Sequence, residues 1–320
     1  MKALCRICSG EFTEENFVTN DTMLGIEGSF TYNRCKSCGC VQINRLPDNL
    51  HRFYPSEYCE SFGLAGAKID NKFKDFITKV SFHRYPVIYN ILRFFELLDV
   101  RVDTIRDLKL SKNSRILDVG AGDGYFLSAL SLLGFNHIQG LEPYRTKSVR
   151  DKLNIIQSTM VNLQQNLTFD VIIYNDSFEH LWDPKRELIE LYKHLNPEGI
   201  IIIRLPLASN GFESFKKYWF ELDPPRHFYL HTIKSLKILS EISNFKIKSI
   251  DYDSFGRSYI RSELNRKGKY FKDQPLFFQL SGELLKPSSY LFRRRAKMEN
   301  KQEIGNHAVI ILGKATNTTF

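Results

Sequence analysis

Four cysteines stand as two Cys-x-x-Cys pairs, Cys5-Arg-Ile-Cys8 and Cys35-Lys-Ser-Cys38, with 26 residues between them. Two such pairs can close four thiolates on one tetrahedral ion, zinc above all. Gly10 and Gly39 suit the tight turns that aim backbone N–H groups at sulfur. Two pairs saturate the metal, so the site is expected to be structural, and Cys40 and Cys59 are left over. A second constellation runs through the middle of the chain. It begins at Asp118 and a turn containing Gly120, Gly122 and Gly124, where glycines let backbone approach a ligand closely. Glu142 follows in Gly-Leu-Glu-Pro, and a carboxylate there can accept hydrogen bonds from two ribose hydroxyls. Then come Asn175, Glu179 and His180 in Asn175-Asp-Ser-Phe-Glu-His180, and Arg226 and His227 in Trp219-Phe-Glu-Leu-Asp-Pro-Pro-Arg-His-Phe-Tyr229. Histidines titrate where a general base must. A guanidinium can grip a phosphate or carboxylate in bidentate fashion.

The elements that must position these groups alternate strand and helix from Arg115 onward, which predicts a parallel sheet. Strands are expected at 115–119, 137–142, 154–157, 170–174, 199–205, 246–252 and 307–314. Asn196-Pro-Glu-Gly199 reads as a turn before the apolar run Ile200–Ile203. Ahead of the sheet, Ile69, Phe73, Phe76, Ile77 and Val80 fall at helical spacing, and Pro86 opens a second helix through Leu98. The fold class is therefore α/β: a seven-stranded, mostly parallel, doubly wound sheet with a late antiparallel strand and a small N-terminal zinc module. The expected layout is a zinc-binding module at 1–60, a helical linker or lid at 61–110, and the sheet domain at 111–320 with an insertion at 254–306.

The segment Ile116-Leu-Asp-Val-Gly-Ala-Gly-Asp-Gly-Tyr-Phe-Leu127, with Glu142 and Glu179-His180-Leu181 behind it, resembles the class I S-adenosylmethionine (SAM) dependent methyltransferases. A nicotinamide enzyme would want a small residue where Tyr125 stands. The resemblance implies that Asp118 and the glycine loop receive the methionine end of SAM and that Glu142 holds the ribose. It places Asn175 at the cofactor and Glu179 and His180 over the sulfonium, facing the acceptor. Met160 packs on the adenine or belongs to the core. His227 is a second base candidate; His180 is favoured because its strand end is fixed by the sheet, whereas His227 sits on a longer loop. Arg226 and Trp219 are expected at the substrate. The order of zinc module, linker, helices and SAM domain is similar to bacterial sugar and surface-polysaccharide methyltransferases. That implies O-methylation of a nucleotide-linked, lipid-linked or glycan sugar. Sugar C-methyltransferases are also similar, but Phe178 stands near the Glu-His pair where they tend to have Tyr.

At 320 residues and 42% hydrophobic content, the chain can bury one large α/β domain and small additions. No apolar run reaches the roughly 18 residues that span a bilayer, and no secretory h-region follows Met1. A cytoplasmic protein is expected, with the inner face of the membrane as a second location. The net charge of +9 admits an anionic substrate, a nucleic acid or an acidic membrane. The Cys-rich segment lacks the dense basic and aromatic interleaving of a nucleic-acid face. A small-molecule or glycan acceptor is therefore expected. The stretch 275–298, with Tyr290-Leu-Phe-Arg-Arg-Arg-Ala-Lys297, could lie on an anionic membrane or pack as a helix on the sheet or on a second subunit. Two rivals stay open: an RNA- or protein-directed methyltransferase reading through its zinc module, and a non-catalytic scaffold.

Overall fold

The computed structural model describes residues 3–55, 71–94, 96, 98–143, 153–270, 273 and 287–315. Two sheets organise the chain. The smaller is formed by β1 (Phe12–Thr19), β2 (Phe30–Cys35) and β3 (Val41–Ile43). The larger contains β4 (Arg115–Val119), β5 (His137–Leu141), β6 (Ile155–Ile156), β7 (Phe169–Asn175) and β8 (Leu195–Pro206). A two-residue strand, β9 (Tyr229–Leu230), returns to the small sheet, and β10 (Phe245–Tyr252) and β11 (His307–Lys314) complete the large one. The strand order is β1-β2-β3-β9 in the first and β10-β11-β8-β7-β4-β5-β6 in the second.

The large sheet is the seven-stranded, mostly parallel sheet that the strand–helix alternation implies. Strands β4 to β8 pair in parallel, and β11 runs antiparallel between β8 and β10. Its central residues, Ile116, Leu117, Val171, Ile172, Ile173 and Ile201–Ile203, are buried, as continuous apolar runs must be when both faces are covered. The helices are α1 (Asn71–His83), α2 (Pro86–Phe94), α3 (Val100–Asp107), α4 (Tyr125–Leu132), α5 (Pro184–His194), α6 (Asn210–Phe215), α7 (Ile233–Ile242), α8 (Gly256–Arg266) and α9 (Pro287–Lys301).

Most expected strands match to within a residue at each end, but three boundaries differ in kind from the sequence reading. The helix from Pro86 ends at Phe94 rather than Leu98, because Glu96 sits at φ +54°, outside helical space. A separate helix then starts at Val100, capped by the Asp99 carboxylate accepting the Arg101 N–H. Strand β8 starts at Leu195, ahead of the Asn-Pro-Glu-Gly turn. That turn is accommodated as an irregularity, with Leu195 opposite Phe169 and Ile200 opposite Val171, and Asn196 Nδ2 donates to Asp170 Oδ1 at 2.6 Å. Of the stretch 275–298, residues 275–286 lie outside the described residues. The rest belongs to α9, which packs on α8 with the Phe292 ring stacked on Tyr259 at 5.6 Å, while Tyr290 and Leu291 face solvent. No helix among the described residues is long and apolar enough to cross a membrane.

The N-terminal sheet is sewn to the larger domain. β3 pairs with β9 through Val41–Leu230 and Gln42–Tyr229. The Thr232 hydroxyl, which also caps α7, donates to the Cys38 carbonyl at 2.6 Å. Arg6, between the first two cysteines, lies over the Trp182 ring at 4.0 Å and donates to the Tyr229 hydroxyl at 2.7 Å. Deepest of all is Arg226, with no exposed surface, which donates to Asp21 and Asp223 at 2.6 and 2.5 Å. Removing one partner from a buried pair costs about 3–5 kcal/mol because the remaining charge is stranded. Arg226→Met, which strands two carboxylates, is expected to lower unfolding stability by that order in urea titration. A loss under about 1 kcal/mol would show that the cluster is not structural.

Candidate active site and cysteine cluster

The strand order reverses direction beside β4, where β5 lies on one side and β7 on the other. Ligands bind at such a switch point, outside the carboxyl ends of the strands. A cleft of about 790 Å³ opens there, lined among others by Asp118, Gly120, Gly122, Glu142, Met160, Asn175, Glu179, His180 and His227. Residues from four strand ends and from the loop after α6 thus meet in one cavity.

The glycine turn has the freedom a close ligand needs. Gly120 and Gly122 have φ of +80° and +55°, and a Cβ on Gly122 would meet nothing within 4 Å. A Cβ on Gly120 would instead strike Ser177 at 2.5 Å, so Gly120 is needed for packing and Gly122 for open approach. The Gly122 N–H donates to Glu142 Oε2 at 2.9 Å, which ties the end of β5 to the loop. Asp118 is buried, and desolvation raises its pKa to about 7 against the pull of Arg101. Asn175 Nδ2 is buried without a hydrogen-bond partner among the described residues, a donor that a ligand in the cleft could satisfy. Met160 is also buried and opens the turn after β6, alongside Ser158 and Thr159. An open backbone cradle, two acids and an unmatched donor fit an adenosyl cofactor bearing an ammonium and ribose hydroxyls.

Beside the cradle, the His180 and His227 rings meet edge to face with centroids 4.8 Å apart. His180 Nδ1 lies 2.8 Å from the Arg226 carbonyl. A carbonyl only accepts, so Nδ1 carries the proton and Nε2 of the neutral ring is an acceptor. Burial, with the His227 charge second, lowers the His180 pKa to about 3. His227 Nδ1 is 2.8 Å from the Glu221 carbonyl, and its Nε2 is 3.7 Å from Glu179 Oε1. Glu179 is fully buried, and desolvation raises its pKa to about 7.

Three sequence expectations need correction. Arg226 does not reach the acceptor: its side chain is committed to Asp21, Asp223 and the Phe53 carbonyl. Its carbonyl serves the site instead, by orienting His180. Trp219 is a core residue at 1% exposure, packed on Phe215 and Tyr259. His227 is not looser than His180, since it is 7% exposed and held at Nδ1.

A charge network at the cleft end of the sheet escaped the sequence reading. Arg204 on β8 donates to Asp176 at 2.6 Å and to Asp253 at 2.7 Å. His307 on β11 bridges the same two acids at 2.8 Å each, which help raise its pKa to about 9 and keep it charged. Asp99 and Arg101 form a second pair, with two contacts of 2.9 Å. These residues lie far apart in sequence with no shared period, so only charges at strand and helix ends hinted at them.

Cys5, Cys8, Cys35 and Cys38 bring their sulfurs within 4.8 Å of one another. The Cys5–Cys38 and Cys8–Cys35 separations are 3.7 and 3.5 Å, close to the ~3.8 Å edge of a tetrahedron with ~2.3 Å metal–sulfur bonds. Both turns repeat one pattern: the Cys5 N–H donates to Gly10 O and Ser9 to Cys5 O, as Cys35 does to Cys40 O and Gly39 to Cys35 O. The left-handed residue of the first turn is Ser9, at φ +57°, not Gly10. Gly10 is needed for clearance, since a Cβ there would meet Ser37 Oγ at 2.5 Å. The ligand set fits a tetrahedral metal.

Comparison with known families matches residues 89–250, half of the chain, to a methyltransferase domain. The chain belongs to that family. It carries a SAM-dependent methyltransferase domain. Among curated relatives, the ubiquinone biosynthesis O-methyltransferase of Rickettsia canadensis (strain McKiel) is 34% identical over 97 residues, 28% of this chain and 41% of the relative. That of Rickettsia typhi (strain ATCC VR-144 / Wilmington) is 31% identical over 112 residues, 31% of this chain and 45% of the relative. The chain spans less than half the length of these curated relatives. Solved structures include a SAM-dependent methyltransferase from Archaeoglobus fulgidus, 18% identical, covering 71% of this chain and 99% of the other at a TM-score of 0.45. The 1,6-didemethyltoxoflavin-N1-methyltransferase of Burkholderia thailandensis is 12% identical, covering 91% of this chain and 98% of the other at 0.44.

Gly122→Asp places a carboxylate in the open side of the methyltransferase loop, at a φ disfavoured for side chains. Calorimetry is expected to show SAM affinity falling at least about tenfold for this variant and for Glu142→Ala. Affinities within about twofold of the parent in both would remove the cradle from the cofactor site.

Proposed function

We propose that this protein transfers a methyl group from SAM to a hydroxyl of a sugar in nucleotide-linked, lipid-linked or glycan form. The observation that carries the reading is the pair of imidazoles beside the glycine cradle, with a buried carboxyl behind one of them. SAM, when bound, would supply an electrophilic methyl and leave as the neutral thioether once that methyl is on the acceptor oxygen. Asp118, the glycine turn, Glu142 and Asn175 hold the cofactor. Trp182, half-exposed and backed by Phe228, lines the same cleft and offers a ring on which a sugar face can stack.

The hydroxyl proton must leave as the bond forms. His180 stays neutral throughout the physiological range and accepts a hydrogen bond at Nε2, which orients the hydroxyl. His227 takes the proton, because Glu179 can stabilise the imidazolium that results. General-base loss costs roughly 10²–10⁴ in rate. His227→Ala is expected to lower kcat by that order with SAM affinity nearly unchanged, and His180→Ala to act mainly on acceptor KM. The working form of Glu179 is the carboxylate, so kcat is expected to fall as pH drops through about 7. Glu179→Gln should lower kcat and displace that limb, while a pH dependence of SAM binding through Asp118 survives. A His227→Ala enzyme with near-normal turnover would defeat this assignment.

The four cysteines are proposed to hold one structural zinc ion. Elemental analysis of the purified protein is expected to give close to one zinc per chain. Chelation is expected to unfold the segment around β1–β3, because such sites supply folding energy. A metal-free protein with that segment folded would count against it.

A second reading is favoured by the curated relatives, which are named for O-methylation in ubiquinone biosynthesis. Turnover assays with nucleotide sugars and with hydroxylated aromatic acceptors separate the two. Activity on the aromatic set alone would replace the sugar.

A further inference from the structure

The outer face of α9 has no task in the methyltransferase reading. The helix, Pro287–Lys301, divides into two sides. Ser289, Ala296 and Glu299 are buried on the inner side, and Phe292 stacks there on Tyr259. Glu299 accepts from the Tyr259 hydroxyl and, at 3.0 Å, from Arg295. On the outer side Tyr290, Leu291, Arg294, Lys297, Met298 and Lys301 are all exposed. They recur at i, i+1, i+4, i+7, i+8 and i+11, which fills one helical stripe about 120° wide. Single apolar residues on a surface are ordinary, but three large ones on one stripe mark a contact. Leu291 is 61% exposed. The other three residues of the stripe are cations, and Glu299, the one carboxylate of the helix, points the opposite way.

This helix stands beside the cleft. Gly256, which opens α8, lies so close to α9 that a Cβ on it would meet the Arg293 backbone N at 2.7 Å. The Gly256 N–H donates at 2.8 Å to Glu96, which follows α2. Glu96, Phe255 and Ser258 all line the cavity. Helix α2 brings a second apolar stripe toward this corner, Val87, Ile88 and Ile91, with Val87 72% exposed. Three kinds of occupant compete for a face that mixes apolar groups and cations. A second copy of the chain would set like charges against each other. RNA accepts cations but wants aromatic platforms for its bases, and Leu291 and Met298 offer none. An anionic bilayer satisfies both kinds of group. Long cationic side chains lay their stems on apolar surface and reach the phosphates with their heads. Leucine and methionine enter the acyl boundary, and tyrosine sits at headgroup level.

We infer that the outer stripe of α9 docks on an anionic membrane surface, which brings the cleft beside α8 close to the lipid headgroups. The docking does not depend on the methyl-transfer reading. One consequence rests on that reading: of the acceptor forms proposed above, the lipid-linked one is the form that a surface-bound enzyme meets.

The test is co-sedimentation of the full chain with vesicles of phosphatidylcholine alone and of equimolar phosphatidylcholine and phosphatidylglycerol. Binding to the anionic vesicles alone is expected, and it should weaken as salt is raised. A cation at such a surface strengthens binding about fivefold. Arg294→Gln/Lys297→Gln/Lys301→Gln should therefore weaken it at least about tenfold. A control, Lys109→Gln/Lys234→Gln/Lys246→Gln, removes the same charge from exposed positions elsewhere and should change it less than about threefold. Leu291→Ser/Met298→Ser keeps every charge and should still weaken binding at least about fivefold, because the apolar insertion is lost. S-adenosylhomocysteine affinity, read by calorimetry, should stay within about twofold of the parent in each variant, which certifies its fold. If the serine variant does not fold, the charge variant and its control decide. No binding to the anionic vesicles would overturn the inference. Equal losses in the control and the α9 charge variant would also overturn it, by reducing the effect to net charge. Full binding by a folded serine variant would do the same. Tighter binding to polyuridylate than to vesicles would give the face to nucleic acid, and a lipid-free dimer that the α9 variants dissociate would give it to a second copy. Absence of S-adenosylhomocysteine binding in the parent would instead refute the methyl-transfer reading and leave the vesicle result standing.

Discussion

Arg226 is sealed from water with a carboxylate on either side, Asp223 three residues upstream and Asp21 from the N-terminal sheet. A guanidinium in that position is held in one orientation, since any other would strand three charges. The backbone around it is held with it. Its carbonyl fixes the tautomer of His180, the next residue is His227, and the Tyr32 hydroxyl donates to the His227 carbonyl at 2.8 Å. The geometry of both imidazoles therefore descends from one buried ion cluster, and one of its two carboxylates, Asp21, comes from outside the sheet domain.

This gives the cysteine-bearing segment a role beyond its own folding. Its turns pin Arg6 over Trp182 and Tyr229, its third strand pairs with β9, and Cys38 receives Thr232. Each contact lands within a few residues of the His227 loop or on the wall of the cleft. Packed behind the His227 loop in this way, the segment fixes where that loop lies.

Much of this is legible in the sequence. The segment Ile116-Leu-Asp-Val119 followed by three glycines signals a strand and turn because only local rules are involved, and β4 occupies its expected span. The two cysteine pairs are likewise local, and both turns share one hydrogen-bond pattern. What could not be read were partners brought together by topology. Arg226 looks like a ligand-binding cation in sequence, and nothing local says that Asp21, 205 residues earlier, consumes its charge. The Asp176–Arg204–Asp253–His307 network joins four strand ends in the same way. The helix expected through Leu98 failed for a local reason, a single left-handed residue at Glu96 that helical periodicity does not register.

The small sheet has a further consequence for how the chain assembles. Three of its strands lie before residue 44, but the fourth, β9, lies at Tyr229–Leu230. During synthesis the cysteine turns can close early, because their contacts are short in sequence or bridge only the first forty residues. The edge of β3 then stays open, and Asp21 lacks its cation, until nearly two hundred further residues have been made. Contacts of such high sequence separation form late and slowly. The arrival of the Arg226 loop on that waiting edge is thus a late event in building this protein, and His180 and His227 are set in place only when the two sheets have joined.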